Sequence, residues 1–403
     1  MIPNLKRIEK NNCIGETSMP RFVTKEKMEF LYDELKKLDL NILYITDTEA
    51  HRNINLKYLS GHPEDATLII DVQNRETILI PWDYQLAQKY AEVDQIVNMA
   101  DNEGLISATV ETFKKVVKSE DKVGVTQSIP YSYIKTINDV TPKVEIVWSP
   151  KKIDSLLEKL RATKSSYELS LLKKSIDISN KVVDEMEEVL TSTTKISTEM
   201  DLAVFVEGRM RQLGAMGVGF ETLVASSARS WQIHTYPRAD PELPFYRKGL
   251  ALIDFGVNGA GLTSDVTLPF IMGKMNKKME TIVETVKQAH DESIEKLKTV
   301  HFLHEVADVA FGIIESAGFK MPHGLGHGIG LTVHDSPGIR QKPTHETQLK
   351  TWVETPIEKG MVITIEPGIY EKDVGGFRLE NDVIITSKGP EVVTNSRPVF
   401  IDL

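Results

Sequence analysis

Cysteine is nearly absent from this 403-residue chain, with Cys13 the only one. A disulfide framework within the chain is therefore impossible, and so is a cysteine-rich zinc site. Long apolar runs are missing too. No stretch approaches the roughly 18 apolar residues of a membrane-spanning helix, and the opening Met1-Ile-Pro-Asn-Leu-Lys-Arg-Ile-Glu-Lys10 has no apolar signal core. A soluble, cytoplasmic protein is expected. Basic residues are in deficit, 48 lysines and arginines against 58 aspartates and glutamates, for a formal charge of −10. Nucleic-acid-binding domains usually carry a basic face, so neither nucleic acid nor a membrane is an expected partner.

What is present suffices for sizeable cores. Apolar residues are 41% and charged residues 26%, ordinary globular figures that exclude whole-chain disorder. At about 100–200 residues per domain, the length suggests two or three domains.

The first part alternates β-rich runs with helical patterns. Residues 41–46, 66–72, 77–81, 122–125 and 144–148 read as strands, and Lys25–Leu38, Trp82–Ala91 and Leu105–Val117 as helices. Such alternation predicts an α/β domain. His51 and His62 stand alone there and read as loop or surface histidines. A second rhythm starts near residue 160, which predicts domains over 1–160 and 161–403. Ser166 is placed as the N-cap of a long helix, and Ser197 as the cap of another ending at Gly214. Helices over Lys277–Leu297 and His304–Ala317 follow, with strands over 250–254, 361–365 and 382–386.

Four segments of this second part gather polar groups beside apolar strands or glycines. In Ala251-Leu-Ile-Asp-Phe-Gly-Val-Asn-Gly-Ala-Gly-Leu-Thr-Ser-Asp265, a glycine-rich turn between two strands would set Asp254 beside Asp265; the alternative is a solvated hairpin with unrelated aspartates. His323-Gly-Leu-Gly-His-Gly-Ile-Gly-Leu-Thr-Val-His334 holds three histidines, spaced by four and seven. Its glycines predict either close approach to a ligand or left-handed backbone. Glu366 ends an apolar run before Pro-Gly, and Arg378 and Glu380, two apart, share one face of any strand. Four carboxylates with imidazole suit Mn²⁺, and less selectively Co²⁺ or Zn²⁺. One divalent ion would leave such a pocket at −2, whereas two would neutralise it, so a two-metal hydrolytic site is expected.

At these residues the sequence resembles the pita-bread metallopeptidases, the group of aminopeptidase P, prolidase, methionine aminopeptidase and creatinase. The resemblance covers essentially the whole chain. It implies an α/β N-terminal domain of the creatinase/prolidase kind and an α+β pita-bread catalytic domain. The family's ordered ligands match Asp254, Asp265, His327, Glu366 and Glu380. By that resemblance Asp254 binds one metal, His327 with Glu366 the other, and Asp265 and Glu380 bridge both. A hydroxide bridging the metals attacks the scissile carbonyl, and Glu366 orients it or accepts its proton. His234, His323 and His334 hold the substrate backbone and the tetrahedral intermediate, and Arg378 orients ligand carboxylates.

Creatinase-type members work without metal, and methionine aminopeptidases usually lack the N-terminal domain. The resemblance thus narrows to Xaa-Pro peptidases, a dinuclear exopeptidase acting on small peptides with proline second. An Xaa-Pro aminopeptidase is the leading expectation, and an Xaa-Pro dipeptidase (prolidase) the alternative, which Arg340 would favour by holding a dipeptide's carboxylate. A homodimer is implied as well. Leu262 and Leu268 stand where the family often has tyrosine and arginine, and the 341–358 segment with Trp352 is expected to line the pocket. These departures keep open a non-peptidase metal-dependent hydrolase. A catalytically silent peptide-binding module is the remaining alternative, which the complete ligand set disfavours.

Overall fold

The structure, a computed structural model, describes residues 22–192 and 196–403; Cys13 and the opening segment lie outside them. The N-terminal part is a six-stranded mixed sheet of β1 (Ile42–Asp47), β2 (Ala66–Asp71), β3 (Glu76–Pro81), β4 (Gln95–Ile96), β5 (Lys122–Val125) and β6 (Glu145–Trp148), in the order β4-β3-β2-β1-β5-β6. Helices α1 (Lys25–Lys37), α2 (Ile54–Ser60), α3 (Tyr84–Tyr90), α4 (Leu105–Val116) and α5 (Tyr131–Val140) cover it. Strand alternation divides the sheet's side chains. Leu43 and Ile45 face one core, and Ile42 and Tyr44 the other. Helix α6 (Ile153–Ala162) sends Ile153, Leu156, Leu157 and Leu160 into the first of these cores.

Beyond α6 run α7 (Ser166–Ser192) and α8 (Glu199–Gln212). Their caps differ from expectation by one residue each. The Ser165 hydroxyl accepts from Glu168 N while Glu168 accepts from Ser165 N, and Thr198 forms the equivalent reciprocal box with Asp201. A cap must stand one residue outside the helix with extended backbone, and of two adjacent hydroxyls only that one qualifies.

Two sheets make up the rest. The first runs β15 (Gly368–Glu371), β16 (Gly375–Arg378), β9 (Gly249–Phe255), β11 (Val266–Met272), β19 (Val399–Ile401), with β8 (Leu223–Ala225) also on β9. The second runs β13 (Asp335–Ile339), β12 (Gly326–Gly328), β14 (Val362–Ile365), β17 (Asn381–Thr386), β18 (Gly389–Val392). A short ladder pairs β7 (Gly217–Val218) with β10 (Val257–Asn258). Helices α9 (Lys277–Lys296) and α10 (Leu303–Ser316) pack on the second sheet and on Leu250, Ile271, Ile369 and Phe377 of the first, and α7 and α8 pack on the first.

Alternation again decides what faces what. Ala251, Ile253 and Phe255 of β9, with Val266, Leu268 and Phe270 of β11, meet α7 and α8. Asp254 and Thr267 therefore point the other way, as does Asp265 just before β11. On β14, Ile363 and Ile365 pack toward α9 and α10, which turns Thr364 and Glu366 away from that core. Fully burying each such apolar side chain contributes about 1.5–3 kcal/mol, so a register slip that exchanged the faces is strongly disfavoured. Of the four passages between the two sheets, two are short crossings, from β14 to β15 at Glu366–Pro367 and from β16 to β17 at Leu379–Glu380.

Three other expectations change. His62 is not a surface residue but fully buried. Leu262 and Leu268 are core residues, Leu262 among Leu171, Ile176 and Val362, and neither lines the site cleft. The 341–358 segment, with α11 (Glu346–Leu349), also stays off that cleft. It braces the start of α10: Trp352 meets His304 edge-on, Leu303 N donates to Thr355 O (3.0 Å), and Ile357 N to His301 O (2.8 Å).

Candidate metal centre

All nine residues singled out in the sequence, His234, Asp254, Asp265, His323, His327, His334, Glu366, Arg378 and Glu380, line one cleft of about 460 Å³ between the two sheets. Asp254 and Asp265 come from the first sheet and His327 from the second, while Glu366 and Glu380 sit at the two short crossings. The glycines around His327 are not there for left-handed backbone. Their φ values are not positive. A Cβ on Gly326 would lie 2.0 Å from Thr364 O, and one on Gly328 2.2 Å from Ser336 O. Glycine is needed there because strands press on one another, and that pressure carries His327 into the cleft.

His327 Nδ1 lies 3.0 Å from Gly328 O. A carbonyl only accepts, so Nδ1 carries the proton and Nε2 presents a lone pair. That lone pair lies 3.5 Å from Asp265 Oδ2 and 3.5 Å from Glu366 Oε1. Three acceptors facing one another repel unless a cation or a proton stands among them. One ligand atom each from Asp265, His327 and Glu380 fall within 4.8 Å of one another. Buried Asp254 Oδ1, Asp265 Oδ1 and Glu380 Oε1 have no hydrogen-bond partner among the described residues, an expensive condition for ionised oxygens. Burial, then repulsion among the carboxylates, pushes Asp265 well up, Glu366 likewise, and Glu380 to about 8. Burial pushes the His327 imidazole down to about 4, so it is neutral near pH 7 and free to ligate. The donor set fits divalent cations: oxygen-rich, one neutral imidazole, its tautomer fixed from behind.

Hydrogen bonds hold the carboxylates from outside. Arg378, 3% exposed, donates to Asp254 Oδ2, to Thr267 Oγ1 (3.0 Å) and to the Tyr370 hydroxyl (2.8 Å). Thr267 Oγ1 donates to Glu380 Oε2 (2.7 Å), and Asp382 Oδ2 accepts from Asp265 N (3.2 Å). Tyr370, Thr267 and Asp382 escaped sequence reasoning. The signal for two of them was there, since Thr267 and Asp382 each lie two residues beyond a candidate ligand and so share its face.

The histidines divide. His323 Nδ1 points at Gly324 O (2.8 Å), and its Nε2 faces the Tyr370 hydroxyl (2.9 Å). Both nitrogens have protein partners, so His323 is held in place and supports Tyr370. His234 and His334 are exposed at the cleft. Arg229 and fully buried Glu199 brace the segment carrying His234: Glu199 accepts from Ser226 N, Arg229 Nε and Asp240 N, and Arg229 donates to Pro237 O. His334 packs its ring on that of His327, centroids 4.4 Å apart. Beside it opens a side chamber of about 350 Å³ lined by Glu158, Arg161, Ser336 and Arg340. Exposed Arg340 has no ion-pair partner among the described residues.

Residues 170–387 match metallopeptidase family M24, and residues 27–163 match the creatinase/prolidase N-terminal domain. An Xaa-Pro dipeptidase of Pyrococcus horikoshii is 28% identical over 385 residues, covering 94% of this chain and 99% of the relative. Among solved structures, the prolidase from Pyrococcus horikoshii OT3 aligns with a TM-score of 0.77 at 27% identity, covering 93% of this chain and 99% of that one. The Xaa-Pro dipeptidase from Bacillus anthracis gives 0.79 at 25% identity, covering 94% and 99%.

Proposed function

The chain belongs to metallopeptidase family M24, and from that premise we propose that it hydrolyses Xaa-Pro dipeptides, with Xaa-Pro aminopeptidase action on longer peptides as the second reading. It is an enzyme with a pita-bread catalytic fold and a creatinase/prolidase N-terminal domain. The observation that carries the reading is the His327 lone pair aimed at two carboxylates inside a buried acidic cluster. Asp254, Asp265, His327, Glu366 and Glu380 would hold two divalent ions, whose combined charge balances four carboxylates. Such ions, when bound, lower the pKa of water and stabilise developing negative charge. Mn²⁺ is the proposed metal on the oxygen-rich donor set. A cytoplasmic homodimer completes the proposal; no helix among the described residues is long and apolar enough to cross a membrane.

The protein's own side chains supply the rest. Glu366 faces the cleft and is the group to take the proton of the attacking water. Arg378 and Thr267 keep Asp254 and Glu380 from rotating, and Tyr370, held by His323, steadies Arg378. His234 and His334 are the imidazoles left to hold the peptide and to donate to the carbonyl oxygen as charge grows on it.

Two facts favour the dipeptidase over the aminopeptidase reading. Relatives named Xaa-Pro dipeptidase align along nearly the whole chain at 25–28% identity, against 22% for an X-Pro aminopeptidase, and the uncommitted Arg340 guanidinium at the side chamber offers a place for a dipeptide's carboxylate. The non-peptidase alternative rested on Leu262 and Leu268, which lie in the core away from the cleft. A substrate-length series from Xaa-Pro to longer Xaa-Pro peptides, run with Mn²⁺, Co²⁺ and Zn²⁺, tests the proposal. Dipeptides should be cleaved best. Arg340→Met should raise KM about 10–100-fold for them alone, the worth of one charged hydrogen bond. Preference for long peptides would install the aminopeptidase reading, and no cleavage under any metal would overturn both.

A further inference from the structure

His334 reaches the cleft without a hydrogen bond of its own side chain among those described; its backbone carbonyl alone accepts, from Thr332 Oγ1 (3.2 Å). Ring packing on His327 limits its tilt, but what aims the residue is the chain beneath it. The next residue, Asp335, opens β13 and points to the opposite side, into the seam between the two halves of the molecule. There its carboxylate is buried, with 1% of the side chain exposed, and Arg161 of α6 grips it. Arg161 Nη2 donates to Oδ1 (3.0 Å), and Nε lies 3.3 and 3.4 Å from the two carboxylate oxygens. Asp335 Oδ1 also accepts from Ser336 N (2.9 Å), and the Ser336 hydroxyl donates to Glu158 Oε2 (3.2 Å), one turn before Arg161 on α6. The third arm of the guanidinium donates to buried Asn55 of α2, whose amide donates to Asn53 Oδ1.

A planar guanidinium held at all three nitrogens by Asp335 and Asn55 is a rigid fixture. It sets the direction in which Asp335 leaves the strand, and successive residues of an extended chain face opposite ways. We propose that Arg161 is a positioning residue for His334: by clamping Asp335 against α2 and α6, the N-terminal half sets the angle at which His334 meets the substrate. This rests on the reading of His334 as a substrate-holding imidazole. Charge neutralisation alone does not account for the arrangement, because Lys164, also buried, has Asp335 near it as well, whereas Arg161 alone makes the directed bonds.

The test is a double-mutant cycle on the metal-loaded enzyme, scored with the Xaa-Pro dipeptide. Arg161→Met should lower kcat/KM by up to about 10²-fold, as about 1 Å of misplacement does, with metal content unchanged. In a His334→Ala background the same substitution should cost less than about threefold, because the residue it positions is gone. Arg161→Lys should recover only part of the loss, since it keeps the charge but not the fork. Lys27→Met cuts another contact across the seam, from Lys27 Nζ to Thr163 O and to the Glu168 carboxylate of α7, and should leave kcat/KM unchanged. Should Arg161→Met fail to fold, Asp335→Asn enters the same cycle. Equal losses in both backgrounds, or no loss at all, overturn the proposal. Undiminished activity of His334→Ala overturns instead the role of His334 on which it rests.

Discussion

Replacing Gly326 by alanine tests whether strand pressure builds the site. The added methyl would lie 2.0 Å from Thr364 O, 2.8 Å from Thr364 C and 2.9 Å from Thr364 Oγ1, where ordinary contact begins near 3.4 Å. Two of these neighbours are backbone, so no side chain can swing away. β12 and β14 must part by more than 1 Å. His327 follows Gly326 and Glu366 lies two residues beyond Thr364, so the displacement falls across the 3.5 Å gap between Nε2 and Oε1. It also strains the 3.1 Å bond from His327 N to Thr364 Oγ1. Overpacking costs about 1–3 kcal/mol, and misplacing a reacting group by about 1 Å costs about 10²-fold in rate. Gly326→Ala should therefore fold with a lowered melting temperature, bind Mn²⁺ at least tenfold more weakly by titration calorimetry, and lose about two orders of magnitude in kcat/KM. Gly338→Ala is the control. It lies opposite His327 on β13 with nothing within 4 Å of its would-be Cβ, and should change stability by no more than about 0.5 kcal/mol. Wild-type metal affinity in Gly326→Ala would refute the reasoning.

Glu366→Gln should abolish Xaa-Pro hydrolysis while the melting temperature of the metal-free protein stays within a few degrees; full activity would remove Glu366 from its role. Chelation should lower the melting temperature and Mn²⁺ restore it, since a ligand at 100 times its Kd adds about 2.7 kcal/mol; a curve indifferent to metal would contradict the two-ion reading. Burial holds Lys164 down to about 8, below its usual 10.5. Between those values the unfolded chain keeps a proton that the folded chain has lost, so this group makes stability rise with pH, by about 1.4 kcal/mol per unit. The melting temperature of wild type minus that of Lys164→Met should accordingly climb from pH 8 to 10.5, and a flat difference would count against it.

Much of the site is legible in the sequence because its carriers obey the period of a strand. Asp254 ends an apolar run, Glu366 ends another, and Arg378 and Glu380 share a face. β13, β15 and β16 were missed for the converse reason. Asp-Ser-Pro-Gly-Ile, Gly-Ile-Tyr-Glu and Gly-Gly-Phe-Arg are poor in β-branched residues, and they are held extended by neighbouring strands rather than by their own preference. Arg161 gave no signal, because its partner Asp335 is 174 positions away. Tyr370 lies only four residues past Glu366, yet its link to Arg378 and His323 exists only once β15 and β16 pair. The same holds for His323, whose bond to Tyr370 spans 47 positions.

The two short crossings between the sheets have a consequence for how the protein is made. Asp254, Asp265 and His327 leave the ribosome well before Glu366 and Glu380, which sit where the chain changes sheets. The first sheet is closed later still, by β19, whose Val399–Ile401 pairs with Phe270–Met272 next to the Asp265 strand. A chain that has reached His327 but not Glu366 thus holds three of the five donors and no finished cage. On the proposed ligand set neither sheet carries all five donors, so the cage is complete only where the two sheets meet.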